Sequence, residues 1–122
     1  MQDTVGKLDD FKWKNRLVLY FPQDEKSEFE FADSLLAELK DRKVAYFIIK
    51  EKSVDSNIPI RFSESYQKAL LKRYKMGSKT DCFVLLGLDG GVKLKREGEL
   101  NWTLIMKTID SMPMRISEKK NN

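Results

Sequence analysis

The sequence predicts a single α/β domain, a four-stranded mixed sheet with helices on both faces, its elements ordered βαβ, helix, ββα. Three observations carry that expectation. Residues 17–21, Val44–Ile49 and Cys82–Leu86 are short, nearly continuous apolar runs, as strands covered on both faces require. Segments with apolar residues at helical spacing lie between and after these runs. The chain's 122 residues suit one hydrophobic core rather than two.

Residues 1–15 are polar apart from Val5, Leu8, Phe11 and Trp13, and read as an N-terminal arm that docks by its aromatics. The domain proper spans 16–116, and 117–122 reads as a frayed tail. Leu17, Val18, Leu19, Tyr20 and Phe21, ended by Pro22, form the first strand. Ser27 with Glu30 fits a capping box, and Phe29, Ala32, Leu36 and Leu39 recur at helical spacing with Leu35 widening the stripe. A helix is therefore expected directly after the first strand. Val44–Ile49 follows a short basic turn, and strand, helix, strand at this spacing is a right-handed parallel crossover. Residues 51–59 are polar with a proline and read as a loop.

Tyr66, Ala69, Leu70 and Tyr74 share one face of a second helix, with Ser63 or Ser65 as its cap and Gly77 as its stop. Cys82–Leu86 is the third strand. In a fourth, Val92 and Leu94 alternate with Lys93 and Lys95, giving one wet face, and Asp89-Gly90-Gly91 supplies the positive φ angles of a tight hairpin. The last helix carries Trp102, Ile105, Met106 and Ile109 and stops at Pro113. A mixed sheet in this order, with the first strand central, is the thioredoxin-like arrangement.

Hydrophobic residues make up 41% of the chain and aromatic residues 11%, too much for a disordered chain. No apolar run approaches the roughly 20 residues of a membrane-spanning helix. The opening Met1-Gln2-Asp3-Thr4 lacks the basic region and apolar core of a leader and is compatible with a trimmed mature terminus. The net charge of +4 invites a nucleic-acid reading. However, Lys40, Arg42 and Lys43, like Lys72, Arg73 and Lys75, cluster where helices are expected to end, and cations there complement the helix dipole.

In a thioredoxin-like domain the reactive site lies where the first strand meets the first helix, whose free N–H groups stabilise a thiolate. Here that turn reads Phe21-Pro22-Gln23-Asp24-Glu25-Lys26 and holds no cysteine. Ser78-Lys79-Thr80-Asp81, ahead of the third strand, holds no proline where redox members place a cis-proline. Dithiol exchange by the usual route is excluded. Cys82, the only cysteine, heads an apolar strand, where burial raises a thiol's pKa and hides it, so an inert core cysteine is favoured over a peroxidatic or sensor thiol. The chain has no histidine, which removes His-dependent triads, His metal sites and His proton shuttles.

Paired carboxylates remain for acid/base work, Asp24 with Glu25 or Asp24 with Asp81 across the cleft; the plainer reading is that Asp24 charges the helix start. Gly87-Leu88-Asp89-Gly90-Gly91 lacks the Gly-Lys-Ser/Thr ending of a phosphate loop and joins two strands, so it reads as a hairpin turn. Trp13 beside Lys14, Asn15 and Arg16 offers a stacking or anion site, although packing against the sheet is the commoner role. The candidate binding cleft is Pro22, Gln23, Asp24 and Glu25 with Lys79, Thr80 and Asp81; no catalytic residue, metal or cofactor is assigned.

Three segments carry a resemblance: Trp13-Lys14-Asn15-Arg16, Gly87-Leu88-Asp89-Gly90-Gly91-Val92-Lys93-Leu94 and Ile109-Asp110-Ser111-Met112-Pro113-Met114-Arg115. Together they resemble the peroxiredoxin-like domain called the DUDES-type domain, found singly in bacterial proteins, many of them exported, and within vertebrate extracellular proteins of the sushi-repeat-containing type. The resemblance spans roughly residues 8–116, and its closing Met-Pro-Met-Arg is the most specific part. It implies a thioredoxin-like fold, a periplasmic or secreted location and no established activity. Leu88 departs from the lysine typical of the family, which weakens any anion role for the turn. The resemblance marks Trp13, Arg16, Gly87, Asp89, Gly90, Asp110, Met112, Pro113, Met114 and Arg115 as structural or functional positions. Met112, Pro113 and Met114 read physically as a helix terminator with two apolar plugs, and Arg115 as a partner for Asp110 or Glu118. The functional expectation is a non-catalytic binding or interaction module of the cell envelope, its partner an unidentified protein or small ligand. A thiol oxidoreductase acting through Cys82 and a binder of nucleic acid or anionic polymers are the alternatives.

Overall fold

The computed structural model describes residues 4–24, 29–75 and 80–120. The N-terminal arm holds a two-residue strand, β1 (Thr4–Val5), and a 3-10 turn over Leu8–Phe11 that buries Leu8 and Phe11. Then come β2 (Arg16–Phe21), α1 (Asp33–Asp41), β3 (Val44–Ile49), β4 (Val54–Ser56), β5 (Ile60–Arg61) and α2 (Glu64–Leu70), which continues as a π-helical turn over Leu71–Lys75. β6 (Cys82–Leu86), β7 (Val92–Glu97), α3 (Trp102–Asp110) and α4 (Pro113–Lys120) complete the described chain.

The main sheet has the order β4-β3-β2-β6-β7. β2 is parallel to β3 and antiparallel to β6, so the first long strand is central, as expected. The sheet has five strands rather than four, because 54–56, inside the expected loop, pairs antiparallel with the free edge of β3 through Phe47↔Ser56 and Ile49↔Val54. A three-residue strand with one apolar side chain leaves no periodic signal; the unpaired edge beside it selects the conformation. Separately, β1 pairs with β5 in parallel and ties the arm to the domain.

Side chains alternate across the sheet as the pleat dictates. Leu17, Leu19 and Phe21 of β2 face a core with Phe47, Val84, Phe11, Phe62, Leu70 and Tyr74, covered by the arm and α2. Val18 and Tyr20 face the opposite core, with Ile48, Phe83 and Leu85, covered by Leu39 of α1 and Ile105 and Ile109 of α3.

Several boundaries differ from the expectation. α1 starts at Asp33 behind Ala32, which makes no side-chain cap, and the expected cap Ser27 lies outside the described residues. Phe29 and Phe31 are not helical: Phe29 meets Tyr20 edge-on at 5.4 Å, and Phe31 meets Tyr46 at 5.1 Å and Trp102 at 5.6 Å. Ring packing outweighs an early helix start. In α2, Ser63 is the cap, its Oγ accepting from the Tyr66 N–H at 3.2 Å. Ala69 is exposed, whereas the wider π turn keeps Tyr74 on the core face, stacked on Phe21 at 6.4 Å; Gly77 lies outside the described residues. In β7 the register shifts so that Leu94 faces Leu85 but Val92 faces Leu86. That bulge breaks the expected alternation and leaves Val92 exposed at the rim. Trp13, expected to dock, is 65% exposed, because its backbone sits at φ +67° and directs the ring outward.

Pro113 does not stop the last helix. α3 already ends at Asp110 with Ser111 as its C-cap, and Pro113 opens α4, where its missing N–H costs nothing. Residues 117–120, expected within a frayed tail, are helical. Buried charge explains why. Arg16, 1% exposed at the start of β2, donates to the Arg42 carbonyl at 2.8 Å and to both Glu118 oxygens at 3.3 and 3.2 Å. Arg115, 3% exposed, donates to the Asp41 carbonyl at 2.9 Å, the Asp41 carboxylate at 2.5 Å and Glu118 at 3.4 Å. Arg42 forks onto Asp110 at 2.9 and 3.0 Å. This clasp joins β2, the end of α1, α3 and α4, and includes both partners expected for Arg115, since its Nε also lies 3.8 Å from Asp110.

The clasp sets a pH dependence. The Arg42 hydrogen bond holds the Asp110 carboxyl below its ordinary range. Burial alone would raise Glu118, but the hydrogen bond and charge of Arg16, with Lys43 and Arg115, bring it below its ordinary value. Both groups bind protons less readily folded than unfolded. Their contribution is complete above the unfolded carboxyl range, about pH 4–4.5, and is lost as pH falls through their lower folded values. Glu118→Gln is expected to lower the urea-unfolding free energy at pH 7 by about 1–3 kcal/mol and to flatten the acid limb of a stability–pH profile. An acid limb identical to wild type would contradict the clasp's role.

Candidate functional site

Pro22 ends β2 at its carboxyl end, and Asp81 immediately precedes β6 beside it. Asp81 Oδ1 accepts from the Gln23 backbone N–H at 2.7 Å, and Oδ2 accepts from the Tyr20 hydroxyl. The Asp81 carbonyl accepts from the Gly98 N–H at 2.6 Å, so one residue fastens the ends of three strands. Burial, then the hydrogen bond and charge of Asp81, push the Tyr20 phenol well above its ordinary range. Tyr20 is therefore a neutral donor rather than a base.

Above this corner lies a cavity of about 340 Å³ lined by Tyr20, Phe29, Phe31, Asp81, Glu99, Leu100 and Trp102. Its walls come from four separate segments. Tyr20 is the next-to-last residue of the central strand, with its ring in the α1/α3 core. Phe29 and Phe31 come from the extended approach to α1, and Trp102 opens α3 just after the cap Asn101, whose side chain accepts from the Leu104 N–H at 3.0 Å. Trp102 Nε1 is buried with no hydrogen-bond partner among the described residues, so edge-on packing with Phe31 and Tyr46 holds the indole. Among the described residues no basic side chain lines the cavity.

Of the expected cleft, only Asp81 lines this cavity. Gln23 reaches the corner through its backbone and has an exposed side chain; Pro22 is buried, its carbonyl 3.4 Å from Lys75 Nζ. Asp24 is exposed and Thr80 half-buried, while Glu25 and Lys79 lie outside the described residues. The first described helix after β2 is α1, which starts at Asp33, well past Asp24. Tyr20, Phe29, Phe31, Glu99, Leu100 and Trp102 were not legible as site residues. The two-residue spacing of Phe29 and Phe31 was a signal of extended chain.

The resemblance-marked positions gather elsewhere. Arg16, Gly87, Leu88, Asp89, Lys93, Met112, Pro113 and Met114 surround a second cavity of about 240 Å³. The Trp13 N–H donates to the Leu88 carbonyl at 2.7 Å. Asp89 accepts from the Gly91 N–H at 2.9 Å and from Lys93 Nζ at 3.1 Å, and these two contacts, the first foremost, lower its pKa. Gly90 has φ +83°, the conformation expected of the hairpin. The Gly87, Gly90 and Gly91 N–H groups all bond within the turn, so none is turned toward an anion. Arg16, Asp110 and Arg115 belong to the clasp. On the opposite face, Lys7, Lys12 and Arg73 border a cavity of about 480 Å³, but Asp9 and Asp89 line it too, and Lys12 lies 3.7 Å from Asp9.

Cys82 is fully buried in β6, between Phe21 of β2 and Glu97 of β7. Among the described residues no group of His, Cys, Asp or Glu side chains could hold a metal ion, and no helix is long and apolar enough to cross a membrane.

Two similar solved structures define the fold's kinship. One is a reduced Plasmodium vivax 2-Cys peroxiredoxin, with a TM-score of 0.57 and 19% identity over 92% of this chain and 72% of that chain. The other is Plasmodium yoelii thioredoxin peroxidase I, with a TM-score of 0.55 and 20% identity over 94% of this chain and 81% of that chain. At such identity the likeness is one of fold alone, a thioredoxin-like, peroxiredoxin-like arrangement. No curated protein matches the sequence. The sequence pattern described as "Domain of unknown function (DUF4174)" matches residues 7–118, nearly the whole chain, and the protein belongs to that family.

Proposed function

We propose that this chain is a non-catalytic binding domain that takes a small ligand in the aromatic cavity at the carboxyl end of β2. The observation that supports it is the convergence of Tyr20, Asp81 and Trp102 on the end of the central strand. In α/β sheets that end is the usual ligand position, and an apolar cavity with a few fixed polar groups is the usual form. A fragment library screened by NMR is expected to shift resonances of Tyr20, Asp81 and residues 99–102. Shifts confined to the Lys7–Arg73 cavity or the hairpin–Met112 corner would overturn the reading.

The competing reading, a thiol enzyme acting through Cys82, conflicts with that side chain's complete burial. Native protein is expected to react with a thiol reagent at least about a hundredfold more slowly than protein in denaturant, since modification must wait for opening of a central strand. Rapid native modification would restore the thiol reading.

We further propose a periplasmic or secreted location, supported by the resemblance of the Trp13–Arg16, hairpin and Met-Pro-Met-Arg segments to DUDES-type domains. Fractionation of the native host is expected to recover the chain from the envelope or medium. Recovery from the cytosol alone would overturn the assignment.

A further inference from the structure

We propose that the cavity at the end of β2 recognises a small organic cation, a compound carrying one substituted ammonium group; this deepens the binding reading above and rests on it. Four of the cavity's seven described lining residues are aromatic, namely Tyr20, Phe29, Phe31 and Trp102, and two are the carboxylates Asp81 and Glu99. Ring faces carry negative quadrupole density and attract cations, most strongly where water is excluded. Both carboxylates add attraction of the same sign, and none of the described lining residues is a lysine or arginine.

Among the described residues the Asp81 carboxylate is held in place rather than used up. Tyr20 donates to one oxygen and the Gln23 N–H to the other, while an ionised carboxyl accepts at about four positions. Tyr20 also remains protonated, so a neutral phenol ring stands beside the Asp81 side chain. An anionic ligand would meet two like charges. A neutral apolar ligand would strip water from two carboxylates and return nothing to them. A hard metal ion would find two carboxylates among rings, well short of the six to eight oxygen ligands that calcium takes. An ammonium group satisfies rings and carboxylates together. The cavity's 340 Å³ lies at the small end of the roughly 300–1,000 Å³ typical of ligand sites, which favours a single headgroup over a large conjugate.

The probe pair is choline and its uncharged isostere 3,3-dimethylbutan-1-ol, titrated against the full chain carrying Trp13→Phe. The chain has two tryptophans, so this change leaves Trp102 as the only fluorescent indole. Choline is expected to give a saturable Trp102 signal and to bind at least about fivefold tighter than the alcohol. Glu99→Gln, at an exposed position, and Phe31→Leu are each expected to weaken choline by about two- to fivefold. Equal or tighter binding of the alcohol would overturn the cation assignment and leave the cavity a binding site. Choline binding untouched by both variants would place it elsewhere and overturn both readings. If neither compound binds, the cation assignment falls, and the cavity is judged by its fragment map. A response to phosphatidylcholine vesicles without one to free choline would mark a lipid headgroup and overturn the free-solute assignment.

Discussion

β2 is bounded by β3 and β6 along its edges and by a core on each face, so anything polar on it must be satisfied inside the protein. Two such groups occur, one at either end. Arg16 brings a guanidinium into the interior at the start of the strand, and Tyr20 brings a hydroxyl near its finish. The guanidinium recruits Glu118, and with it Arg115, Asp41, Arg42 and Asp110, which fixes the C-terminal helices. The hydroxyl recruits Asp81, which draws the turn after β2 toward the entry of β6. The polar groups of one strand thus tie together both ends of the sheet, although the Arg16 Nε stays buried without a hydrogen-bond partner among the described residues.

The long strands were legible because double coverage forces unbroken apolar runs, and β2, β3 and β6 carry them. Ser63 was legible as one of two candidate caps, with Ser65, because a hydroxyl three residues ahead of an amide suits that bond. What the sequence concealed depends on partners distant along the chain. Phe29, Ala32, Leu36 and Leu39 do fall at helical spacing, yet Tyr20, Tyr46 and Trp102 draw Phe29 and Phe31 out of the helix. β4 exists because β3 has an edge to offer. The shift beside Leu86 cannot be seen in a stretch whose alternation looks regular. Of the site, Asp81 could be named in advance because it stands at the entrance to a buried strand. Its aromatic neighbours could not, since they converge from segments tens of residues apart, each with an ordinary core reading of its own.

The likeness to the two peroxiredoxins is one of fold. The segment 22–32 between β2 and α1 carries no thiol, and its described part contributes two aromatic walls, Phe29 and Phe31. The positions that carry the family resemblance mostly do mechanical work, in the hairpin turn and in the clasp.

The outer strands give the sheet a defence against other chains. β4 is only three residues long, too short to template much pairing. β7 is longer, but it exposes Lys93, Lys95, Arg96 and Glu97 and is distorted by the bulge facing Leu86. A foreign strand approaching there would have to desolvate a row of charges and match an interrupted ladder, which disfavours edge-to-edge aggregation. The irregularity that spoils the alternation of Val92 and Leu94 thereby helps keep an open sheet from growing into a fibre.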